Sequence, residues 1–241
     1  MQIIKTVEEL KKIRKELKGT VGFVPTMGAL HDGHISLIKE ARANNDFVIV
    51  SIFVNPTQFL KGEDLSTYPR KEEADIKICQ MCKVDFLFMP NINSIYEDDE
   101  VLIKAPQNSY VLEGLTRPGH FDGVLQVVLK LFNLTQATNA YFGKKDAQQL
   151  ALIQQMVKNL FLSVNIIPCD IVRENSGLAL SSRNVYLSIK KKEEALKISK
   201  SIYMAGNLIA KGEKNSKIIK DKIYEVLENL DVEYIKIIDK K

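Results

Sequence analysis

Long apolar runs, paired cysteines and a strong excess of charge are all missing from this 241-residue sequence. No apolar stretch approaches the roughly 18 residues that a membrane-spanning helix needs, so we expect no membrane partner. The N-terminal segment MQIIKTVEELKKIRKEL has no apolar signal core, so we expect no export and a cytoplasmic location. The length allows one large domain, or one and a half ordinary ones, with a substantial buried core.

The three cysteines, Cys79, Cys82 and Cys169, are too few to build a disulfide framework. Cys79 and Cys82 form a CxxC, but no second pair follows that would complete a zinc tetrahedron. Their spacing puts both on one face of a helix. We interpret them as small packed thiols, which suits a reducing cytoplasm.

The charge excess is slight, with 34 basic against 30 acidic residues and a net charge of +4. Many of the lysines lie in the C-terminal third, where they alternate with apolar residues at helical spacing. This pattern is typical of solvated helix faces, and we favour it over nucleic-acid binding.

Short apolar or β-branched segments alternate with amphipathic segments along most of the chain. We predict strands at residues 21–25, 47–54, 84–89, 140–142 and 164–168, and helices at residues 33–44, 71–82, 122–135 and 146–160. The helix at 122–135 would be capped by Asp122. The alternation predicts an α/β fold with a doubly wound, Rossmann-like parallel sheet over residues 1–174. Residues 175–241 would form a smaller α+β domain with two lysine-rich helices and a strand at 232–238.

Ligands of such sheets bind beyond the carboxyl ends of the strands. The first segment there is PTMGALHDGH, residues 25–34, where Gly28 and Gly33 allow a ligand to approach the backbone. The helix that follows would offer unpaired N–H groups and the positive end of its dipole to a phosphate. His31 and His34 can face the same way and stabilise a leaving pyrophosphate. A metal site lacks a third ligand nearby, and a purely structural turn is the other alternative.

The segment NPTQF follows the next strand. Asn55 and Gln58 are uncharged amides that can bind a hydroxyl, a carbonyl or a carboxylate. The alternative is a simple Asn-Pro turn.

The segment EGLTRPGHFDGV contains Glu113, Arg117 and the third histidine, His120. Glu113 and Arg117 could form a surface ion pair, which is usually weak. The loop could instead close over a substrate.

Two further segments carry polar side chains. In FGKKDAQQ, Lys144 and Lys145 can neutralise triphosphate charge, and Asp146 can cap the next helix, bind a ribose hydroxyl, or do both. One of Gln148 and Gln149 should face the cleft. In GLALSSRN, two hydroxyls and an arginine can grip phosphate. The alternatives are a solvated helix start and a serine-rich connector.

The absence of several common nucleotide-binding and catalytic motifs limits the reactions that the chain could catalyse. The chain has no Walker A loop, no GxGxxG and no GxSxG nucleophile elbow. The five segments together indicate direct attack on the α-phosphate of ATP, with pyrophosphate as the leaving group.

PTMGALHDGH, VSIFVNPTQF, YPR, RPGHFDGV, FGKKDAQQ and GLALSSRN follow one another in the order and spacing of the pantothenate synthetase (pantoate–β-alanine ligase) family, which the chain resembles over nearly its whole length. The family lies within the HxGH nucleotidyltransferases. The resemblance implies ATP-dependent condensation of pantoate with β-alanine through a pantoyl adenylate, with release of AMP and pyrophosphate. It also implies Mg²⁺ on the triphosphate and no protein metal ligand. A homodimer is expected on the same ground.

The resemblance implies roles for particular residues. His34 would be the proton-donating catalytic histidine, with His31 beside it and Lys145 on the phosphates. Substrate would be bound by Asn55, Gln58, Glu113, Arg117 and Gln149. ATP would be bound by Pro25, Thr26, Met27, Gly28, Ala29, Leu30, His31, Asp32, Gly33, His34, Gly143, Lys144, Lys145, Asp146, Val172, Leu180, Ser181, Ser182 and Arg183.

The chain differs from the family pattern in two ways. Leu180 stands where the family usually has Met, a volume-conserving change that should be tolerated. The sequence ends at Lys241, where family members usually continue with more sheet, so the C-terminal lid is either truncated in this sequence or short in this member. The alternatives are another HxGH nucleotidyltransferase, whose end product is an activated nucleotide, and a nucleotide-binding module without catalysis.

Overall fold

The computed structural model describes residues 1–238, and the chain divides into two compact units, Met1–Ile171 and Val172–Lys241. The strands of the first unit are β1 (Gln2–Ile4), β2 (Val21–Thr26), β3 (Phe47–Ile52), β4 (Phe86–Phe88), β5 (Asn139–Gly143) and β6 (Asn165–Cys169). Its helices are α1 (Val7–Glu16), α2 (Asp32–Asn44), α3 (Glu72–Met81), α4 (Ile92–Ile95), α5 (Glu113–Thr116), α6 (His120–Thr135) and α7 (Ala147–Asn159).

The six strands form one parallel sheet in the order β1-β4-β3-β2-β5-β6. The predicted doubly wound parallel sheet is therefore confirmed. The chain runs outward from β2 to β3 and β4, then returns to place β5 and β6 on the other side of β2. The strand order reverses between β2 and β5, and in open α/β sheets such a reversal opens a crevice for ligands.

Two apolar cores cover the two faces of the sheet. Successive side chains of a strand point to opposite faces, so each central strand contributes to both cores. Phe23 of β2 and Phe142 of β5 pack with residues of α1, α6 and α7. Val24 of β2 and Tyr141 of β5 pack with residues of α2 and α3. Burial on both faces explains why these strands are nearly continuous apolar runs in the sequence.

The start of α6 differs from the prediction. The helix begins at His120, and Gly119 precedes it with a left-handed backbone (φ 86°). Asp122 does not cap the helix; it accepts a hydrogen bond from the N–H of Ala105 at 2.7 Å. The helix therefore begins two residues before the predicted start at Asp122, directly after the Pro118–Gly119 turn.

The second unit contains two helices, α8 (Ile189–Ala210) and α9 (Ser216–Val226). The strand predicted at 232–238 is wrong, since residues 231–238 form no strand. Val232 and Ile235 instead pack against Ile219 and Ile223 of α9, with a spacing of three that does not match the two-residue period of a strand. Within residues 1–238, no helix is long and apolar enough to cross a membrane.

The three cysteines are free thiols, and the prediction that Cys79 and Cys82 are packed in the interior is fully confirmed only for Cys79. Cys79 is buried on α3, and Cys82 and Cys169 are half-buried. No group of three or more histidine, cysteine, aspartate or glutamate side chains within residues 1–238 is arranged to hold a metal ion.

Candidate active site

Two loops meet where the strand order reverses. Residues 25–34 lead from β2 into α2, and residues 143–146 lead from β5 into α7. Because β2 and β5 are directly paired, their carboxyl ends bring these loops to the same edge of the sheet. The histidine segment and the segment with Lys144, Lys145 and Asp146 thus lie at the same edge of the sheet.

His31 and His34 form a stacked pair at the start of α2. Their ring centroids are 4.1 Å apart with a tilt of 39°, which confirms that the two rings face the same way. His31 Nδ1 accepts a hydrogen bond from the N–H of Gly33 at 3.1 Å, and His34 Nδ1 accepts one from the N–H of His31 at 3.3 Å. Each Nδ1 therefore acts as an acceptor, which leaves Nε2 as the N–H donor of each neutral ring.

The surroundings hold both rings in the neutral form. Burial is the largest of the causes that lower the pKa of His34 from 6.5 to about 3, and the charges of His31 and Lys145 act in the same direction. Burial also lowers the pKa of His31, followed by the charge of Lys145, while Asp32 opposes the shift. A neutral imidazole donates a hydrogen bond without carrying a charge of its own, so the fixed positive charge beside the pair is the Lys145 ammonium.

The amides of this loop are mostly engaged within the chain. The N–H of Gly28 bonds to Thr26 Oγ1 at 3.2 Å, and those of Ala29 and Leu30 bond to the Asp75 carboxylate at 2.8 and 2.7 Å. The expectation of unpaired N–H groups at the start of α2 is wrong for Gly33, whose amide is capped by His31. The groups left for an anion are mainly side chains: the two imidazole N–H groups and Lys145.

Asp75 is a residue that the sequence reasoning missed. It lies in the first turn of α3, is 2% exposed, and accepts the hydrogen bonds from the loop that carries the histidines. One signal was available, because Asp75 stands four residues before the buried Cys79 and therefore on the apolar face of its helix. A carboxylate on a buried helix face must find donors, and here they are two consecutive backbone amides.

The two lysines after β5 have different partners. Lys144 Nζ pairs with Asp170 at 2.6 Å on the exposed surface. Lys145 Nζ lies 3.0 Å from Asp146 Oδ1, and its charge acts on both histidines. Asp146 makes no side-chain capping bond to α7, so the capping alternative for this residue is wrong.

The segment after β3 forms a short 3₁₀ turn at Pro56–Gln58. Asn55 is 1% exposed and donates to the carbonyl of Gly123 and to Gln58 Oε1, both at 3.1 Å. Its own side-chain oxygen accepts from the hydroxyl of Tyr96 at 2.7 Å. Asn55 is thus committed to protein contacts, and it holds Gln58 in place.

Gln58 links this turn to the first loop. Its amide nitrogen lies 3.3 Å from Met27 Sδ. Its backbone carbonyl lies 2.8 Å from His120 Nδ1 and accepts from Arg117 Nη2 at 3.4 Å. Burial lowers the pKa of His120.

The Arg117 ion pair has a partner that the sequence did not reveal. Arg117 donates to both oxygens of Glu63 at 2.7 Å, whereas Glu113 lies 3.6 Å away. The predicted contact with Glu113 is therefore confirmed as the longer of two, and Arg117 lowers the pKa of Glu63. The bidentate pair with Glu63 orients Arg117, which also donates a hydrogen bond to the backbone carbonyl of Gln58.

The two glutamines of α7 are used differently. Gln148 donates to the carbonyl of Val111 at 2.8 Å and accepts from the N–H of Glu113 at 3.2 Å. Gln149 is half-buried, and its side-chain amide has no hydrogen-bond partner within residues 1–238. Of the pair, Gln149 is the one whose amide stays available.

In the second unit, the predicted nucleotide residues lie close together along a small hairpin. Arg173 and Ala179 form an isolated antiparallel bridge, and the N–H of Leu180 donates to the carbonyl of Val172 at 3.1 Å. Ser181 Oγ accepts from the N–H of Arg183 at 3.3 Å, which starts a 3₁₀ turn. Val172 and residues 180–183 are thereby gathered into one short segment.

Known proteins resemble the chain over its whole length. The family model described as pantoate-beta-alanine ligase matches residues 2–241. A pantothenate synthetase of Aliarcobacter butzleri is 71% identical over all of this chain and 89% of the relative's length. A pantothenate synthetase of Wolinella succinogenes is 59% identical over all of this chain and 88% of its own length.

Solved structures give the same match. The crystal structure of pantothenate synthetase from Thermus thermophilus aligns with a TM-score of 0.91 at 39% identity, covering 97% of this chain and 86% of that one. Pantoate-beta-alanine ligase from Francisella tularensis, described as complexed with β,γ-ATP and β-alanine, aligns with a TM-score of 0.81 at 44% identity. That alignment covers 94% of this chain and 86% of the other.

Proposed function

The chain belongs to the pantoate-beta-alanine ligase family, and we propose that its site joins pantoate to β-alanine by way of a pantoyl adenylate. It is an ATP-dependent ligase whose product is pantothenate. In the first step a carboxylate oxygen of pantoate bonds to the α-phosphorus, and the bond from that phosphorus to the pyrophosphate oxygen breaks. In the second step the amine of β-alanine attacks the acyl carbon, AMP leaves, and the nitrogen loses a proton.

The observation that carries this proposal is the stacked pair of neutral imidazoles beside Lys145 at the crevice between β2 and β5. Pyrophosphate gains negative charge as it leaves, and fixed donors aimed at that charge are the largest source of catalysis in such sites. The Nε2–H groups of His31 and His34 and the ammonium of Lys145 would serve as those donors. The positive end of the α2 dipole would add to them.

The donors for pantoate lie at the neighbouring strand end. Gln58 and Gln149 would hold the hydroxyls of pantoate, and Gln58 would later contact β-alanine. Asn55 and Arg117 hold Gln58 from behind, and their role would be to fix its position rather than to contact substrate. Glu113 would complete the substrate-binding set.

The remaining ATP contacts are proposed as the sequence implies them, from residues 25–34, residues 143–146, Val172 and residues 180–183. Mg²⁺ would be held by the triphosphate, since the site offers neutral imidazoles and a lysine rather than a carboxylate cluster. There it would neutralise phosphate charge. Residues 175–241 would act as a lid domain, and we place the enzyme in the cytoplasm as a homodimer.

An exchange assay without β-alanine tests the proposal. The enzyme should exchange labelled pyrophosphate into ATP only when pantoate is present, because the adenylate forms reversibly in the first step. Pantothenate and AMP should appear once β-alanine is added. Formation of ADP and phosphate would rule out the adenylate, and net turnover to a stable nucleotide product without β-alanine would favour the alternative nucleotidyltransferase.

A further inference from the structure

Asp75 lies behind the loop that carries the two histidines. Its carboxylate accepts hydrogen bonds from the N–H groups of Ala29 at 2.8 Å and Leu30 at 2.7 Å, one to each oxygen. No lysine or arginine within residues 1–238 forms an ion pair with it. Among residues 1–238, the hydrogen-bond donors that compensate its burial are the two loop amides.

The loop has an unusual backbone at the point where Asp75 holds it. Gly28 (φ 83°) and Ala29 (φ 50°) both have positive φ, and Ala29 is not a residue that favours this region. Such a residue costs of order 1 kcal/mol and persists only when its surroundings fix it. A Cβ at Gly28 would lie 3.0 Å from Asp75 Oδ2, so the close approach of the loop to the carboxylate depends on glycine.

The amides fixed by Asp75 continue directly into those fixed by the histidines. Leu30 is bonded to Asp75, the next N–H, that of His31, is bonded to His34, and the N–H of Gly33 is bonded to His31. The backbone that orients the two imidazoles thus follows directly on the N–H groups of Ala29 and Leu30, which the Asp75 carboxylate holds.

We propose that Asp75 is a positioning residue that sets the backbone of residues 29–30 and, through it, the stacking and orientation of His31 and His34. Its side chain bonds to the backbone of Ala29 and Leu30 and not to the histidine rings, so its effect on the rings passes through the loop. The proposal rests on the proposed function, in which the two histidines act on the leaving pyrophosphate.

The test compares Asp75→Asn with Glu73→Gln. Asparagine keeps the shape but faces one of the two amide donors with its own NH₂ group. Glu73 lies in the same helical turn, is exposed, and has no side-chain hydrogen bond or ion pair within residues 1–238, so its change removes the same charge as a control. Asp75→Glu is a second variant that keeps the charge and displaces both oxygens by one methylene.

Two readouts separate positioning from folding. The first is kcat and KM for pantoate-dependent pyrophosphate exchange. The second is the ¹⁵N NMR spectrum of the imidazoles, in which the chain's three histidines give three ring systems. His120 bonds to the carbonyl of Gln58 and serves as the internal standard for an intact fold.

We expect both Asp75 variants to lower kcat on the order of 100-fold, as a small misplacement of catalytic groups does, with a much smaller change in KM for pantoate. The ring signals of His31 and His34 should shift while that of His120 stays, and Glu73→Gln should match the wild type.

Three results would overturn the proposal: a folded Asp75→Asn with unchanged kcat and unchanged His31 and His34 signals, an Asp75→Glu with full activity, or loss of all three native histidine signals. The last would show that Asp75 stabilises the whole fold. If the wild type itself shows no exchange, the proposed function fails, and the NMR comparison still decides the role of Asp75.

Discussion

Protonation of His34 offers a direct test of the site's electrostatics. The folded protein lowers the pKa of this ring from 6.5 to about 3 through burial, with the charges of His31 and Lys145 acting in the same direction. At 1.36 kcal/mol per pKa unit, the native site disfavours the imidazolium by about 5 kcal/mol. The perturbation is a change of pH, and the matched variant is His34→Gln, which stays neutral.

The sign of the effect on stability follows from where the proton binds. Below about pH 6.5 the unfolded chain binds a proton at His34 that the folded chain refuses, so the free energy of unfolding falls as the pH falls towards about 3. Integrated from about pH 7.5 to about pH 5, the loss assigned to His34 is about 2 kcal/mol. Above about pH 7 the contribution is constant.

The assay is urea unfolding of the wild type and of His34→Gln at these two pH values. On acidification, the free energy of unfolding should fall by about 2 kcal/mol more in the wild type than in the variant, because only the wild type carries the imidazole of His34. NMR of the His34 ring should show the neutral form, with Nδ1 unprotonated, down to at least about pH 4.

Equal pH dependence in the two proteins, or a His34 ring that titrates near its ordinary pKa, would refute the reasoning. Either result would mean that the ring is solvated. His34 would then be partly protonated near neutral pH, so its donor would be a mixture of imidazolium and neutral imidazole.

Three further predictions concern single residues. Lys145→Ala should lower the rate of pyrophosphate exchange by at least about 10-fold and raise the pKa of His34. Lys144→Ala, which breaks an exposed pair with Asp170, should leave the pKa of His34 unchanged and lower the rate less; equal losses in both variants would contradict the assignment. Gly123→Ala should destabilise the folded protein by about 1–3 kcal/mol or more in urea unfolding, because the new Cβ would lie 2.2 Å from the carbonyl oxygen of Thr57. An unchanged unfolding midpoint would show that α6 and the Pro56–Gln58 turn can move apart. Leu180→Met should change exchange kinetics and the unfolding midpoint little, and a large loss of either would show that this position is shape-critical.

Much of the sheet could be predicted because its strands are nearly continuous apolar runs. β2 and β3 are apolar along their length because both faces of the sheet are buried. The polar segments that follow them were expected at one edge, because the carboxyl ends of parallel strands lie together. That His31 and His34 face the same way also followed from the sequence, since residues three apart lie on one side of a helical turn.

Contacts between distant residues could not be predicted in the same way. Asp75 meets the histidine loop across 45 positions, and Glu63 meets Arg117 across 54. Local spacing favoured Glu113 as the partner of Arg117, but the fold brings Glu63 closer. The segment 232–238 has β-branched residues that favour a strand, but Val232 and Ile235 pack against α9 instead.

Transfer of oxygen from pantoate to AMP tests the central claim most directly. Pantoate labelled with ¹⁸O in its carboxylate, supplied with ATP and β-alanine, should give AMP that carries one ¹⁸O on its phosphate. The label moves because the carboxylate oxygen bonds to the α-phosphorus and stays with it when the amine of β-alanine displaces AMP. Unlabelled AMP, or label found in inorganic phosphate beside ADP, would contradict the adenylate mechanism.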